Sequence, residues 1–309
     1  MDPRITRIQT KLAALPATEK AVLGPPLTEA QISEFEDGHD VRLPEEFRRF
    51  LIHVGHGGYG PAYGLLPMEG WVVRRTGRGG LAASFPIVPD QDIPEGPVDR
   101  TEFADAFPGT ITVVDRGCSD RTLLVVTGPG RGRLVEVNTE GFFAPRFHTD
   151  SDFLSWYERW LDFVLTGHRN LHRFADQMSG DETRLVATLL DDERPTRRRA
   201  AACTFITHPA LSGDLPGTLS RALIAEPHPA VREAILRALA AQGDQGRDLL
   251  VTALADPVPG VRALAAILMT EPTAQGWRLA ARRREVLRRH LANETDHLVR
   301  DSMRRALNL

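Results

Sequence analysis

At 309 residues, with 42% hydrophobic and 26% charged positions, the chain has the composition of about two folded domains and not of a disordered polymer. Its formal charge of −3 divides unevenly. The 17 basic and 24 acidic residues through His168 give −7, and the 21 basic and 17 acidic residues from Arg169 give +4, so the acidic front half disfavours nucleic acid and suits a basic protein partner.

No apolar run reaches the ~20 residues needed to span a bilayer. The N-terminal stretch MDPRITRIQTKLAALP lacks the apolar core of a secretion signal. The only two cysteines, Cys118 and Cys203, lie in different halves and form no close metal-ligand pair, so neither a zinc ribbon nor a disulfide framework is expected and a cytoplasmic setting fits.

Ile5, Ile8, Leu12 and Leu15 predict a first helix within residues 5–15, and Gly24-Pro25-Pro26 breaks the chain. Thr28 and Gln31 have the spacing of a capping box, with Leu27 and Ile32 as a hydrophobic staple. The helix they start buries Ile32 and Phe35 and is expected to stop at Gly38. Leu43-Pro44 opens another, with Phe47, Phe50, Leu51 and Val54 on one face and Gly55 at its end.

Residues 55–64 hold five glycines with His56, Tyr59 and Tyr63 between them. No Lys-Ser/Thr follows, so this is not a nucleotide loop. It fits a turn needing positive φ, or bare backbone that a partner can approach closely. Residues 111–114, 122–127 and 133–137 predict strands, and Gly128-Pro129-Gly130-Arg131-Gly132 predicts an antiparallel hairpin between the last two. The helical period returns after Thr149, whose spacing to Asp152 suggests a cap. Phe153, Trp156, Tyr157, Trp160, Leu161 and Val164 line one face, more in the manner of a core than of a binding platform, and Gly167 closes the helix. Residues 1–168 thus form an α+β domain, with helices packed on a largely antiparallel sheet.

From about Asn170, Ala, Leu and Arg dominate, and a degenerate repeat emerges. Pro195 with Arg198, Pro229 with Arg232, Pro259 with Arg262, and His297 with Arg300 place the arginines 34, 30 and 38 residues apart. Units of this length predict stacked helical pairs, an all-α domain over residues 169–309, with Leu223, Val231, Ile235, Leu236 and Leu239 facing inward.

Two resemblances rest on these residues. Glu36, Leu43-Pro44-Glu45-Glu46-Phe47, Phe50-Leu51, Val54-Gly55, Gly57-Gly58-Tyr59-Gly60-Pro61 and Tyr63-Gly64 resemble the SUKH (Smi/Knr-type) superfamily. So, further along, do Gly109-Thr110-Ile111, Asp115-Arg116-Gly117-Cys118 and the closing residues 153–161. The second half is similar to HEAT-like repeats. The first resemblance implies a binding module; in bacteria, many members are implied to be immunity proteins that silence toxins, and the family brings no catalytic set. The fused repeats depart from the simplest single-domain immunity protein.

The expected function is therefore a non-enzymatic, protein-binding one, most concretely a bacterial immunity protein that neutralises a toxin by direct binding. Glu34, Asp37, Asp40, Glu45 and Glu46 supply a candidate acidic surface, and His56, Tyr59 and Tyr63 candidate anchors. A regulatory scaffold is one alternative. A nucleic-acid-binding repeat protein using Arg282, Arg284 and Arg289 is another. The pairs His53/His56 and His168/His172 lack a third ligand, so no metal or other cofactor is expected. Cys118, with no histidine near it in sequence, is expected to be a buried thiol.

Overall fold

The structure, a computed structural model, describes residues 2–16, 22–71, 80–89, 107–168, 171–208, 211–273 and 276–309. It divides into one unit of Met1–Ala175 and another of Asp176–Leu309. The division falls after Ala175, not after His168, because the buried Phe174 belongs to the first core. Its ring meets Phe163 and His148, and its carbonyl accepts from Arg159 at 3.2 Å.

In the first unit, α1 (Pro3–Ala13) starts two residues before its apolar period. Asp2 accepts the Arg4 N–H and Pro3 occupies the first turn, where its missing donor costs nothing. After β1 (Leu23–Gly24), α2 (Glu29–His39) begins with the expected capping box of Thr28 and Gln31. It runs past Gly38, which is helical, and ends on Asp40 in the left-handed conformation (φ 54°). Pro44 caps α3 (Glu45–His53), which buries Phe47, Phe50 and Leu51.

Part of the glycine segment is strand: β2 (His56–Gly58) pairs antiparallel with β1. Gly58, at φ 93°, admits no side chain, since a Cβ there would lie 2.3 Å from the Val22 carbonyl oxygen. Leu65 then bridges Gly58 on one side and Val114 on the other.

The main sheet is an antiparallel meander of β3 (Thr110–Asp115), β4 (Asp120–Val125), β5 (Leu134–Asn138) and β6 (Arg146–Phe147). The expected hairpin is β4–β5, with Leu124 opposite Leu134. Leu124 and Leu134 face the helices, while Leu123, Val125, Val135 and Val137 face a second, smaller core with Phe85. Both faces are covered, which is why these strands read as apolar runs and not as an alternation. A bulge at Val113 turns it and Val114 into the same core.

The last helix, α4 (Phe153–Leu165), is capped by Asp152, not by Thr149: its carboxylate accepts the Ser155 N–H at 3.0 Å. Trp156 and Tyr157 are fully buried and pack with Phe50 and Phe153, so the aromatic row is core.

The second unit is built of helical pairs. They are α5 (Glu182–Asp191) with α6 (Pro195–Phe205), and α7 (Leu215–Ala225) with α8 (Pro229–Ala241). Next comes α9 (Gly243–Leu249), continued by a 3-10 turn to Ala255, with α10 (Pro259–Leu268). After a short hairpin, α11 (Ala281–Asn293) pairs with α12 (His297–Leu307). Each repeat proline, and His297 in its place, is the first residue of its helix. Leu223, Val231, Ile235, Leu236 and Leu239 are all buried, as expected.

The unit is not all-α. β7 (Glu271–Thr273) and β8 (Gly276–Arg278) form that hairpin between α10 and α11, where the longest repeat spacing leaves extra residues to place.

The repeated Arg is explained by a ladder of charge. Asp192, Glu226, Asp256 and Glu294 end the first helix of each pair. Their carboxylates accept the N–H two residues on, at 3.0, 2.9, 2.8 and 2.9 Å. Arg198, Arg232, Arg262 and Arg300 each donate Nη1 back to the carbonyl of their own acidic residue, at 2.9, 3.0, 2.7 and 3.1 Å. Three of them also reach the next pair's acid: Arg198 to Glu226 and Arg232 to Asp256, both 2.8 Å, and Arg262 to Glu294, 2.9 Å.

Candidate protein-binding surface

α2 and α3 join over a buried carboxylate. Glu36, 1% exposed, accepts the Leu43 N–H at 2.7 Å, Arg48 Nη1 at 2.6 Å and Arg42 Nη1 at 3.1 Å. A buried carboxylate is tolerated only when its oxygens are satisfied in this way. Arg131, from the β4–β5 turn, donates to the Arg42 and Leu43 carbonyls at 2.9 and 3.0 Å. Ser33, Glu36, Leu43 and Glu45 with these arginines line an open cleft of about 480 Å³. The knot fixes the angle between the two helices and hence the placement of their outer side chains.

Those outer side chains are mostly acidic. From Thr28 to Val54 the carboxylates are Glu29, Glu34, Glu36, Asp37, Asp40, Glu45 and Glu46, against Arg42, Arg48 and Arg49. Asp37 pairs with Arg42 at 3.0 Å, Glu45 with Arg49 at 2.9 Å, and Glu29 with Arg48. The Asp37 hydrogen bond, followed by its charge, raises the Arg42 pKa, so this cation stays protonated. Glu34, Asp40 and Glu46 carry no ion pair or side-chain hydrogen bond among the described residues. Of the five expected acids, three are thus unengaged and two are half-neutralised at the surface.

The expected anchors separate into structural and exposed groups. The His56 ring hydrogen-bonds the Pro25 carbonyl at 2.7 Å. Tyr59 lies against Trp160 with ring centroids 4.8 Å apart, and its carbonyl accepts from Tyr157 at 2.8 Å. Both are committed to the fold. Tyr63, 81% exposed, leans on Gly117 in the β3–β4 turn. No hydrogen bond or ion pair among the described residues ties it to the α2–α3 acids.

In the second unit the expected basic stripe is engaged internally. Arg282 pairs with Asp248, Arg284 donates to the Leu307 carbonyl at 3.3 Å, and Arg289 pairs with Glu285 at 3.4 Å. Arg283, between them in sequence, is buried on Asp244 at 2.6 Å.

A buried charge network went unread in the sequence. Glu136 on β5 accepts from Arg116 at 2.5 Å and Thr122 at 2.8 Å, and pairs with His148 at 3.0 Å. Burial pushes the Glu136 carboxyl up, but the His148 and Arg116 contacts and the Thr122 hydroxyl outweigh it and hold it below the ordinary carboxylate value. The signal was there: a Glu between valines in a strand covered on both faces needs partners. Cys118 is exposed, not buried, because the β3–β4 turn carries it outward at φ 47°.

Among the described residues no three His, Cys, Asp or Glu side chains gather as a metal site requires, and no helix is long and apolar enough to cross a membrane. Compared with protein-family models, curated proteins and solved structures, the chain matches none of them.

Proposed function

We propose that the chain is a non-enzymatic protein-binding module whose first unit presents the α2–α3 surface to a basic partner, most concretely as a cytoplasmic immunity protein occluding a toxin. The observation that carries this is the rigid helix pair with Glu34, Asp40 and Glu46 unengaged on its outside and Glu36 locked inside it. Unengaged carboxylates on a fixed frame attract and orient a cationic surface at little entropic cost.

Two features support recognition over chemistry. The Glu136–His148 pair is buried and committed to Arg116 and Thr122. The exposed aromatic Tyr63 suits a contact surface. The SUKH resemblance is compatible with the order of three helices, a glycine segment, a meander and a closing aromatic helix. The helical pairs with their proline-started second helices are compatible with HEAT-like repeats. They also favour a second reading, a regulatory scaffold in which the repeats hold a further protein.

The test is co-expression with a candidate toxin domain drawn from a neighbouring gene, for the wild type and for a Glu34→Lys, Asp40→Lys, Glu46→Lys variant. Protection by the wild type and an association rate lowered about tenfold or more in the variant at low salt is the expected result. Protection that survives the triple reversal overturns the surface, and death of cells carrying the wild type overturns the immunity reading.

A further inference from the structure

One end of the meander in the first unit encloses a cleft of about 740 Å³. Cys118, Ser119 and Asp120, from the β3–β4 turn and the start of β4, line one side. Asn138, Glu140, Phe142 and Phe143, from the end of β5 and its connection to β6, line the other. No Arg, Lys or His lines it among the described residues, so its two acids give it negative charge.

The polar groups of the cleft are only partly used by the fold. Asp120 gives one oxygen to Asn138, whose side-chain amide donates to it at 2.6 Å. Its other oxygen, the Glu140 carboxylate and the Ser119 hydroxyl have no hydrogen-bond or ion-pair partner among the described residues. Arg121, next in the chain, pairs with Asp115 at 3.0 Å instead. Ser119 is only 7% exposed, and a polar side chain so enclosed ordinarily has a partner. Beside these acceptors Phe142 is 56% exposed. Tyr63 leans on Gly117, the residue before Cys118, and adds a second exposed ring at the same turn.

We propose that this cleft receives an arginine side chain of a protein partner, its guanidinium plane on Phe142 and its N–H groups donating to Asp120, Glu140 and the Ser119 hydroxyl. A guanidinium is the cation that stacks on an aromatic face while offering several donors in its own plane. The chain uses the same combination in its core, where Arg159 stands 3.8 Å from the centre of the Phe174 ring and holds Asp150 at 2.7 Å. Phe143 already carries Arg146, 4.9 Å from its ring centre, so the incoming cation meets the exposed ring of Phe142. The inference rests on the reading of the first unit as a protein-binding module, but not on the α2–α3 acids.

The probe is N-acetyl-arginine amide, titrated into the nitrogen-15-labelled full chain and followed by amide chemical shifts. Saturable shifts are expected at Ser119, Asp120, Glu140 and Phe142, and none with the uncharged analogue N-acetyl-citrulline amide. Glu140→Gln or Phe142→Leu, both at exposed positions, should each weaken binding about threefold or more. Asp120→Asn keeps an acceptor for Asn138 and, combined with Glu140→Gln, should weaken binding about tenfold or more. The Glu34→Lys, Asp40→Lys, Glu46→Lys protein should bind the probe as the wild type does, so this test and that of the α2–α3 surface fail separately. Absence of saturation, equal shifts with citrulline, or binding indifferent to the cleft substitutions overturns the proposal. Choline binding as tightly as the arginine probe overturns the assignment to a guanidinium, and loss of binding in the triple-lysine protein shows general acidity at work and overturns the cleft.

Discussion

Replacing Arg232 by alanine removes three things at once. Its Nη1 bonds to the Glu226 and Pro227 carbonyls, 3.0 and 2.8 Å, are lost, and so is the paired contact to Asp256, 2.8 and 3.1 Å. Arg232 is buried, so the remaining carboxylate and carbonyls face little water. Removing one partner of a buried ion pair costs about 3–5 kcal/mol. Asp256 keeps the Val258 N–H at 2.8 Å, which places the expected loss at the lower end, about 3 kcal/mol. Arg300→Ala is the internal control. It loses one carbonyl bond of 3.1 Å and no acid, an expected cost of about 1 kcal/mol. Urea unfolding followed by far-ultraviolet circular dichroism measures both. An Arg232→Ala, Asp256→Ala double cycle isolates a coupling of about 2 kcal/mol. Equal midpoint shifts for Arg232→Ala and Arg300→Ala would refute the idea that the cross-pair contact holds the stack.

Glu36→Ala strands the Leu43 N–H and leaves Arg48 with Glu29 alone, and is expected to cost about 3 kcal/mol in thermal unfolding; Glu36→Gln keeps one acceptor and costs less, so equal losses would contradict the knot. Acid unfolding, read by tryptophan fluorescence, tests Asp2. Its hydrogen bond to Arg4 leads the causes that hold its pKa at about 2 against an ordinary 3.8. A lowered folded pKa contributes stability that is full above 3.8 and lost as pH falls toward 2, so Asp2→Asn removes part of the slope in that window, and an unchanged slope speaks against the contribution.

Local chemistry was legible wherever one residue decides the geometry. The Thr28–Gln31 box, the Pro44 start of α3 and the prolines at 195, 229 and 259 each act within one turn, so spacing alone locates them. The β4–β5 hairpin followed from its glycine-proline connection. What sequence did not show depends on partners far along the chain. β1 is two residues long and exists because β2 lies beside it. Asp152 takes the cap from Thr149, and its carboxylate also meets Arg4, 148 residues away in sequence.

The candidate site divides in the same way. Acid content was plain, but which acids are free depends on Arg42, Arg48 and Arg49. His56 and Tyr59 carry polar or aromatic groups suited to contact, yet Pro25 and Trp160 claim them. The repeat arginines were visible as a period, and only the fold shows that Arg198, Arg232 and Arg262 each link two helical pairs.

The polar layer at Glu136 has a consequence for how the meander finds its alignment. Sliding β5 along β4 by two residues keeps every side chain on its own face, so Val135, Val137, Leu123 and Val125 offer little resistance to such an error. Glu136 does resist it. In one direction it would sit opposite Leu124 and forfeit the Thr122 hydroxyl; in the other it would meet Asp120, carboxylate against carboxylate. Glu136 thus selects one alignment from several that hydrophobic burial alone would accept.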